Sequence, residues 1–229
     1  MSTMNLSELW RHFRILTDQE SISEKEREFL QRFLTNEYLK REHRRIEHLV
    51  RQSGIKRPKL LAEFDWSFNP KVPKEKIMEF INTDWLKKPA NLIIIGPAGV
   101  GKTHLATALC YEALMKGNQT IFLSLFDLTA KLAKAKSVYT LIEYYAKIPV
   151  LCIDELGYVI PTKEQSDALF QIISRRSEVG TTIVTTNLIP SNWGKLFDAV
   201  TASAILDRLS MNGRFITFEG RSYRSRKQA

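Results

Sequence analysis

Apolar residues change their spacing near residue 70 of this 229-residue chain. Ahead of that point Phe29, Phe33, Leu34, Tyr38, Ile46, Leu49 and Val50 recur at helical intervals through a charged stretch nearly free of glycine and proline. The pattern predicts a helical arm over residues 1 to about 60. Gly54 and the run Lys56-Arg57-Pro58-Lys59 end it, and Phe64-Asp65-Trp66-Ser67-Phe68-Asn69-Pro70 reads as an extended aromatic connector. A short helix from Lys74 to Asn82 leads to Asp84-Trp85. Beyond it, short aliphatic and β-branched runs alternate with helical spacing, placing strands at Leu92–Ile95, Thr120–Leu125, Val150–Ile153, Thr181–Thr186 and Phe215–Phe218. Such alternation predicts an α/β fold, a mostly parallel sheet with helices on its faces. The expected division is a helical, basic domain with its connector at 1–69 and an α/β domain at 70–229. No internal repeat and no low-complexity segment interrupts this plan.

The first strand runs into Gly96-Pro97-Ala98-Gly99-Val100-Gly101-Lys102-Thr103-His104, a G-x-x-x-x-G-K-T loop. Four bulky residues suit a strand covered on both faces, and the glycines let the backbone curl round a polyphosphate with its amides inward. The loop from Gly96 to His104 is therefore expected to cradle a nucleoside triphosphate such as ATP. Lys102 reaches the β- and γ-phosphates, Thr103 offers its hydroxyl to Mg²⁺, and the helix marked by Leu105, Ala106, Leu109, Ala113 and Leu114 turns its positive end to the anion. An ordinary glycine-rich turn followed by lysine is the plain alternative, and the strand before it and the helix after it argue against that. A second strand ends in Asp154-Glu155, where Asp154 is expected to hold Mg²⁺ and Glu155 to polarise the attacking water. A third ends in Asn187, which could position that water from the other side.

Composition then narrows the partners. An apolar content of 44% is enough for a core, and a formal charge of +9 with a pI near 9.5 favours an anionic partner, nucleic acid first. Cys110 and Cys152 are the only cysteines and imply neither a disulfide framework nor a metal site. No apolar run approaches membrane-spanning length and the first residues do not resemble a signal peptide, so a cytoplasmic protein is expected. Between Tyr38 and Leu60 eight basic residues (Lys40, Arg41, Arg44, Arg45, Arg51, Lys56, Arg57, Lys59) face two acids, Glu42 and Glu47. That local excess suits salt-sensitive, sequence-independent phosphate contacts, with a solvated helix face as the alternative.

The motifs Gly-Pro-x-Gly-x-Gly-Lys-Thr-His-Leu-Ala from Gly96 to Ala106, Ile-Asp-Glu-Leu-Gly-Tyr from Ile153 to Tyr158, and Leu-Phe-Gln-x-Ile-Ser-Arg-Arg from Leu169 to Arg176 resemble the IstB family, the AAA+ ATP-binding helpers of insertion-sequence transposases. Thr186-Asn187-Leu188, Trp193-Gly194, Leu206-Asp207-Arg208-Leu209 and Ser222-Tyr223-Arg224 extend the likeness, and Phe64-Asp65 and Asp84-Trp85 carry it back into the connector. DnaC-type helicase loaders share several of these motifs. The resemblance implies a P-loop AAA+ fold without a full helical lid, with Glu155 as catalytic glutamate, Asn187 as first sensor, Arg224 as second sensor and Arg208 as a finger acting on a neighbouring subunit. It also makes Arg175 or Arg176 a candidate for a second trans-acting group, and places DNA near Lys131, Lys134 and Lys136.

The expected function is a Mg²⁺-dependent ATPase that forms homo-oligomers on duplex DNA and assists a transposase. A replicative helicase loader is the alternative. A small-molecule kinase fits less well, because Asp154-Glu155, Asn187 and two candidate trans arginines come without a lid-length insertion.

Overall fold

The computed structural model describes residues 23–228 together with Arg11 and Ile15, with backbone alone at 226–228. The rest of the arm predicted over residues 1–22 lies outside the described residues. Contacts divide the chain into two units, Met1–His48 and Leu49–Ala229.

Helix α1 (Glu24–Gln52) opens on Ser23, whose hydroxyl accepts from the Glu26 amide while the Glu26 carboxylate accepts from the Ser23 amide. Reciprocal capping of this kind satisfies amides that the first turn leaves without partners. No residue of α1 is buried; pairs within one turn, Arg41 with Glu37 at 3.1 Å and Arg45 with Glu42 at 3.1 Å, run along its surface. The break between units falls at residues 48/49, upstream of the sequence expectation at 69/70. Its cause is that the segment after α1 is built into the α/β unit: the Phe122 amide donates to the Ser53 carbonyl at 2.7 Å, and Phe64 is buried among Leu92, Val100, Leu105 and Phe218.

Helix α2 (Lys74–Ile81) leads to the sheet, whose strands are β1 (Asn91–Ile95), β2 (Thr120–Ser124), β3 (Val150–Leu156), β4 (Thr181–Thr186) and β5 (Gly213–Thr217). They lie in the order β2-β3-β4-β1-β5 and every pairing is parallel. The crossovers are α3 (Lys102–Met115), α4 (Leu125–Lys134) with α5 (Val138–Lys147), α6 (Lys163–Arg176) and α7 (Ala199–Ser210). Alternation along β1 feeds two cores: Ile93 and Ile95 join Leu151, Ile172, Trp193 and Ile205 on one face, Leu92 and Ile94 join Phe64, Trp85, Leu109 and Phe218 on the other. Burial on both faces explains why β1 reads as a continuous aliphatic run.

Strand β3 extends three residues beyond its predicted end and carries a bulge. Ile153 pairs with Val184 and Leu156 with Thr186, so three steps of β3 face two of β4. The extra residue is accommodated at Glu155, whose φ of 60° is left-handed. Bulges redirect a side chain at the cost of ladder pairing, and they favour sites of function.

Arg176 departs from the expectation of a group reaching a neighbouring subunit. It is fully buried and donates to the carbonyls of Tyr145 (2.7 Å), Ile148 (2.5 Å) and Thr181 (2.6 Å) and to the Thr182 hydroxyl (3.1 Å). One guanidinium thus ties the end of α6 to α5, to the turn before β3 and to the start of β4. Burial pushes its pKa down to about 9, which leaves it charged at neutral pH. Arg175 is engaged within the same chain, paired with Glu143 and lying 5.4 Å over the Tyr139 ring. Arg176→Met removes the buried donor shared by three carbonyls and a hydroxyl and should lower the unfolding free energy by roughly 3 kcal/mol or more in urea titrations. Unchanged stability with lost ATP turnover would reinstate a direct role in the reaction.

Candidate active site

The order β3-β4-β1 sets three strand ends side by side at the carboxyl edge of a parallel sheet, where α/β folds place their ligands. The phosphate loop leaves β1 through Gly96, Gly99 and Gly101, all at positive φ, and delivers Lys102 and Thr103 to the first turn of α3. Its flanks are clasped. A Cβ on Gly101 would lie 2.9 Å from the Phe64 ring, and one on Gly99 would collide with Ser222. Pro97, Ala98, Val100 and His104 fill the remaining loop positions, with Val100 buried and the His104 ring 3.2 Å from the Leu60 carbonyl and edge-on to Phe64.

Lys102 is buried, and its ammonium donates to the carbonyls of Gly96 and Pro97 at 2.7 Å each. Desolvation pushes its pKa down, Asp154 opposes that shift, Arg224 adds to it and Glu155 opposes it. The charges felt at Lys102 are thus those of two of the four other predicted catalytic groups, Glu155 and Arg224, and of the predicted metal ligand Asp154. Thr103 donates to both oxygens of Asp154 at 3.1 Å. Asp154 is buried on β3 and accepts a second hydrogen bond from the Thr185 hydroxyl of β4, while the same hydroxyl accepts the Glu155 amide at 3.0 Å. Thr185 thereby fixes the carboxylate and the bulge together. Within β4 it read as one more β-branched strand former, and only the register of β3 against β4 reveals its place.

Glu155 is exposed, and Asn187 lies against the turn two residues after it: a Cβ on Gly157 would come 2.5 Å from the Asn187 Oδ1. Thr103 and Asp154 form a hard-oxygen pair, and among the described residues no cluster of three or more His, Cys, Asp or Glu could hold a metal. Two oxygen donors suit Mg²⁺, which is commonly held by one or two carboxylates with water and substrate phosphates.

Beside the loop lies a cavity of about 600 Å³ lined by Gly99 to His104, Thr107, Phe64, Asn69, Tyr223 and Arg224. Arg57 and Lys59 also line it, although their sequence context placed them in a DNA-binding stripe. Arg224 thus joins the phosphate loop within one chain. Arg208 does not: its carbonyl accepts from the Asn91 side chain at 3.3 Å, at the start of β1, one strand length or roughly 13 Å from where the loop begins. Its guanidinium is partly exposed beside Asp207 and Met211. Of the predicted DNA contacts, Lys40, Arg41, Arg44, Arg45 and Arg51 are exposed on α1, and Lys131, Lys134 and Lys136 are exposed on and just after α4.

A model of the family described as IstB-like ATP binding protein matches residues 2–229. A relative from insertion sequence IS21 of Pseudomonas aeruginosa, whose name assigns it ATP binding, is 34% identical over 233 aligned positions, covering 100% of this chain and 88% of its own. Among solved structures, DnaI superposes with a TM-score of 0.60 at 22% identity, over 72% of this chain and 89% of its own. The DnaC helicase loader gives 0.54 at 23% identity, over 71% and 93%. These superpositions show that the α/β unit shares its fold with both proteins.

Thr185→Val keeps the β-branched shape and removes both hydroxyl contacts. On the expectation that Asp154 holds Mg²⁺ for ATP turnover, the change should reduce that turnover by about 10- to 100-fold, with Thr185→Ser restoring most of it. Equal turnover in Thr185→Val and the parent would show that Asp154 needs no such support.

Proposed function

Because this chain belongs to the IstB-like ATP-binding protein family, we propose that it is a Mg²⁺-dependent ATPase that assembles on duplex DNA and assists a transposase. The observation that carries the reading is the junction of Lys102, Thr103, Asp154 and Glu155 across two strand ends, with Arg224 brought to the same loop by the tail.

In this reading the loop amides and Lys102 bind the phosphates, and Lys102 exchanges the carbonyls of Gly96 and Pro97 for phosphate oxygens. Thr103 and Asp154 would hold Mg²⁺, which when bound would supply positive charge to offset that of the phosphate oxygens. Glu155, turned out of the ladder by the bulge, orients water and accepts its proton, and Asn187 orients the same water from β4. Arg224 compensates phosphate charge within the chain. Arg208, at the other end of β1, acts on the site of an adjacent copy, which makes hydrolysis depend on assembly. The exposed basic residues of α1 and those around α4 contact DNA phosphates, so binding weakens steeply with salt. The likeness to the DnaC helicase loader supports a second reading, loading of a helicase.

Lys102→Ala should abolish ATP binding in a fluorescent-nucleotide titration. Glu155→Gln should retain binding while turnover falls by about 100-fold or more; normal turnover removes Glu155 from the mechanism. Arg208→Ala should bind ATP as a monomer yet fail to hydrolyse it, and mixing it with Glu155→Gln subunits should restore activity by pairing each good site with a good arginine. Electron microscopy with long duplex DNA should reveal ATP-dependent ordered assemblies. Monomers that ignore duplex and bind a ring helicase instead favour the loader.

A further inference from the structure

The tail that carries Arg224 is anchored at Arg221 by a connector residue 152 positions away in sequence. Asn69 is buried and makes a reciprocal pair with the backbone of Arg221: its side-chain amide donates to the Arg221 carbonyl at 2.9 Å and its Oδ1 accepts the Arg221 amide at 2.9 Å. Gly220, at a φ of 139°, leaves no room for a side chain against Asn69. Phe68 supports the same turn, with the Tyr223 ring edge-on at 4.9 Å and the Arg221 guanidinium 5.4 Å over its face. The tail is then seated on the phosphate loop itself, where the Tyr223 amide donates to the Gly99 carbonyl at 2.8 Å and Ser222 occupies the space that Gly99 leaves.

Such an arrangement has a physical purpose. Arg224 belongs to a six-residue 3-10 turn, Tyr223–Gln228, too short to be ordered by its own hydrogen bonds. An arginine on an unanchored tail loses conformational freedom each time it engages a phosphate. Anchoring the turn beforehand removes that loss, which is how preorganisation raises affinity.

We infer that Asn69 is a positioning residue for Arg224, and that the connector and tail together form a clip that orders Arg224 at this nucleotide site. The inference rests on the proposed ATP site, in which Arg224 contacts the phosphates. It assigns the connector a role in nucleotide retention, distinct from DNA contact. Asn69 acts through Arg224, so the two side chains are energetically coupled although they belong to distant segments.

A double-mutant cycle on the full chain tests this. Asn69→Leu removes both hydrogen bonds at nearly constant volume and should weaken ATP binding about 10-fold, chiefly through faster release, in line with the loss of two neutral hydrogen bonds. Arg224→Ala should weaken binding by at least as much, and the double variant should bind no worse than Arg224→Ala alone. Additive losses, or no loss in Asn69→Leu while Arg224→Ala is impaired, overturn the clip and leave the ATP site standing. Normal binding and turnover in Arg224→Ala overturn the assigned role of Arg224 and the clip with it. Thermal unfolding without nucleotide separates misfolding from mispositioning, and Asn69→Ala, which creates no overpacking, provides the second route through the cycle should Asn69→Leu fail to fold.

Discussion

The parallel direction of all five strands is the constraint from which the chemistry follows. Parallel neighbours require a crossover between each pair, so every strand ends at the same edge and every helix returns to the other. In the order β2-β3-β4-β1-β5, the loop after β1 has β4 on one side, and β3 lies just beyond. Groups separated by about 50 residues of sequence, Thr103 and Asp154, therefore meet at 3.1 Å without any long side chain reaching between them. The same geometry puts Asn91 and the end of α7 at the opposite edge, which is why Arg208 is remote from the phosphate loop of its own chain.

A second level of organisation is the packing of non-helical segments on the loop. Phe64 lies against Gly101 from one side and Ser222 against Gly99 from the other. Phosphate approach was the evident reason for glycine at both positions in the sequence. Close contact with side chains of this same protein supplies an additional steric reason, and it links the loop to segments before β1 and after β5.

The repeating features were legible beforehand. Thr181–Thr186 coincides with β4, and the other strands lie within three residues of their predicted ends, because aliphatic runs between helical stretches have few other readings in an α/β chain. The phosphate loop and Asp154 were visible for the same reason: local spacing encodes them. What could not be read was anything that depends on register or on distant segments. Thr185 looks like any β-branched strand residue until β3 and β4 are aligned. Arg176 reads, through the family resemblance, as a candidate for a group acting on a neighbouring subunit until the carbonyls around it are placed. Arg57 and Lys59 look like the continuation of a basic stripe, whereas they face the cavity beside the phosphate loop. The boundary near residue 70 followed a change in composition, but burial of Phe64 joins the connector to the α/β unit.

Glu155 sits at a φ of 60°, a conformation that costs an ordinary L-residue ~1–2 kcal/mol and a glycine almost nothing. On the proposed function, stability and chemistry therefore pull this position in opposite directions. In copies of the gene no longer under selection for hydrolysis, drift toward glycine at 155 meets little resistance from folding and can even make the protein more robust. Decayed copies are then expected to persist as well-folded nucleotide binders, able to enter assemblies with active subunits and stall them.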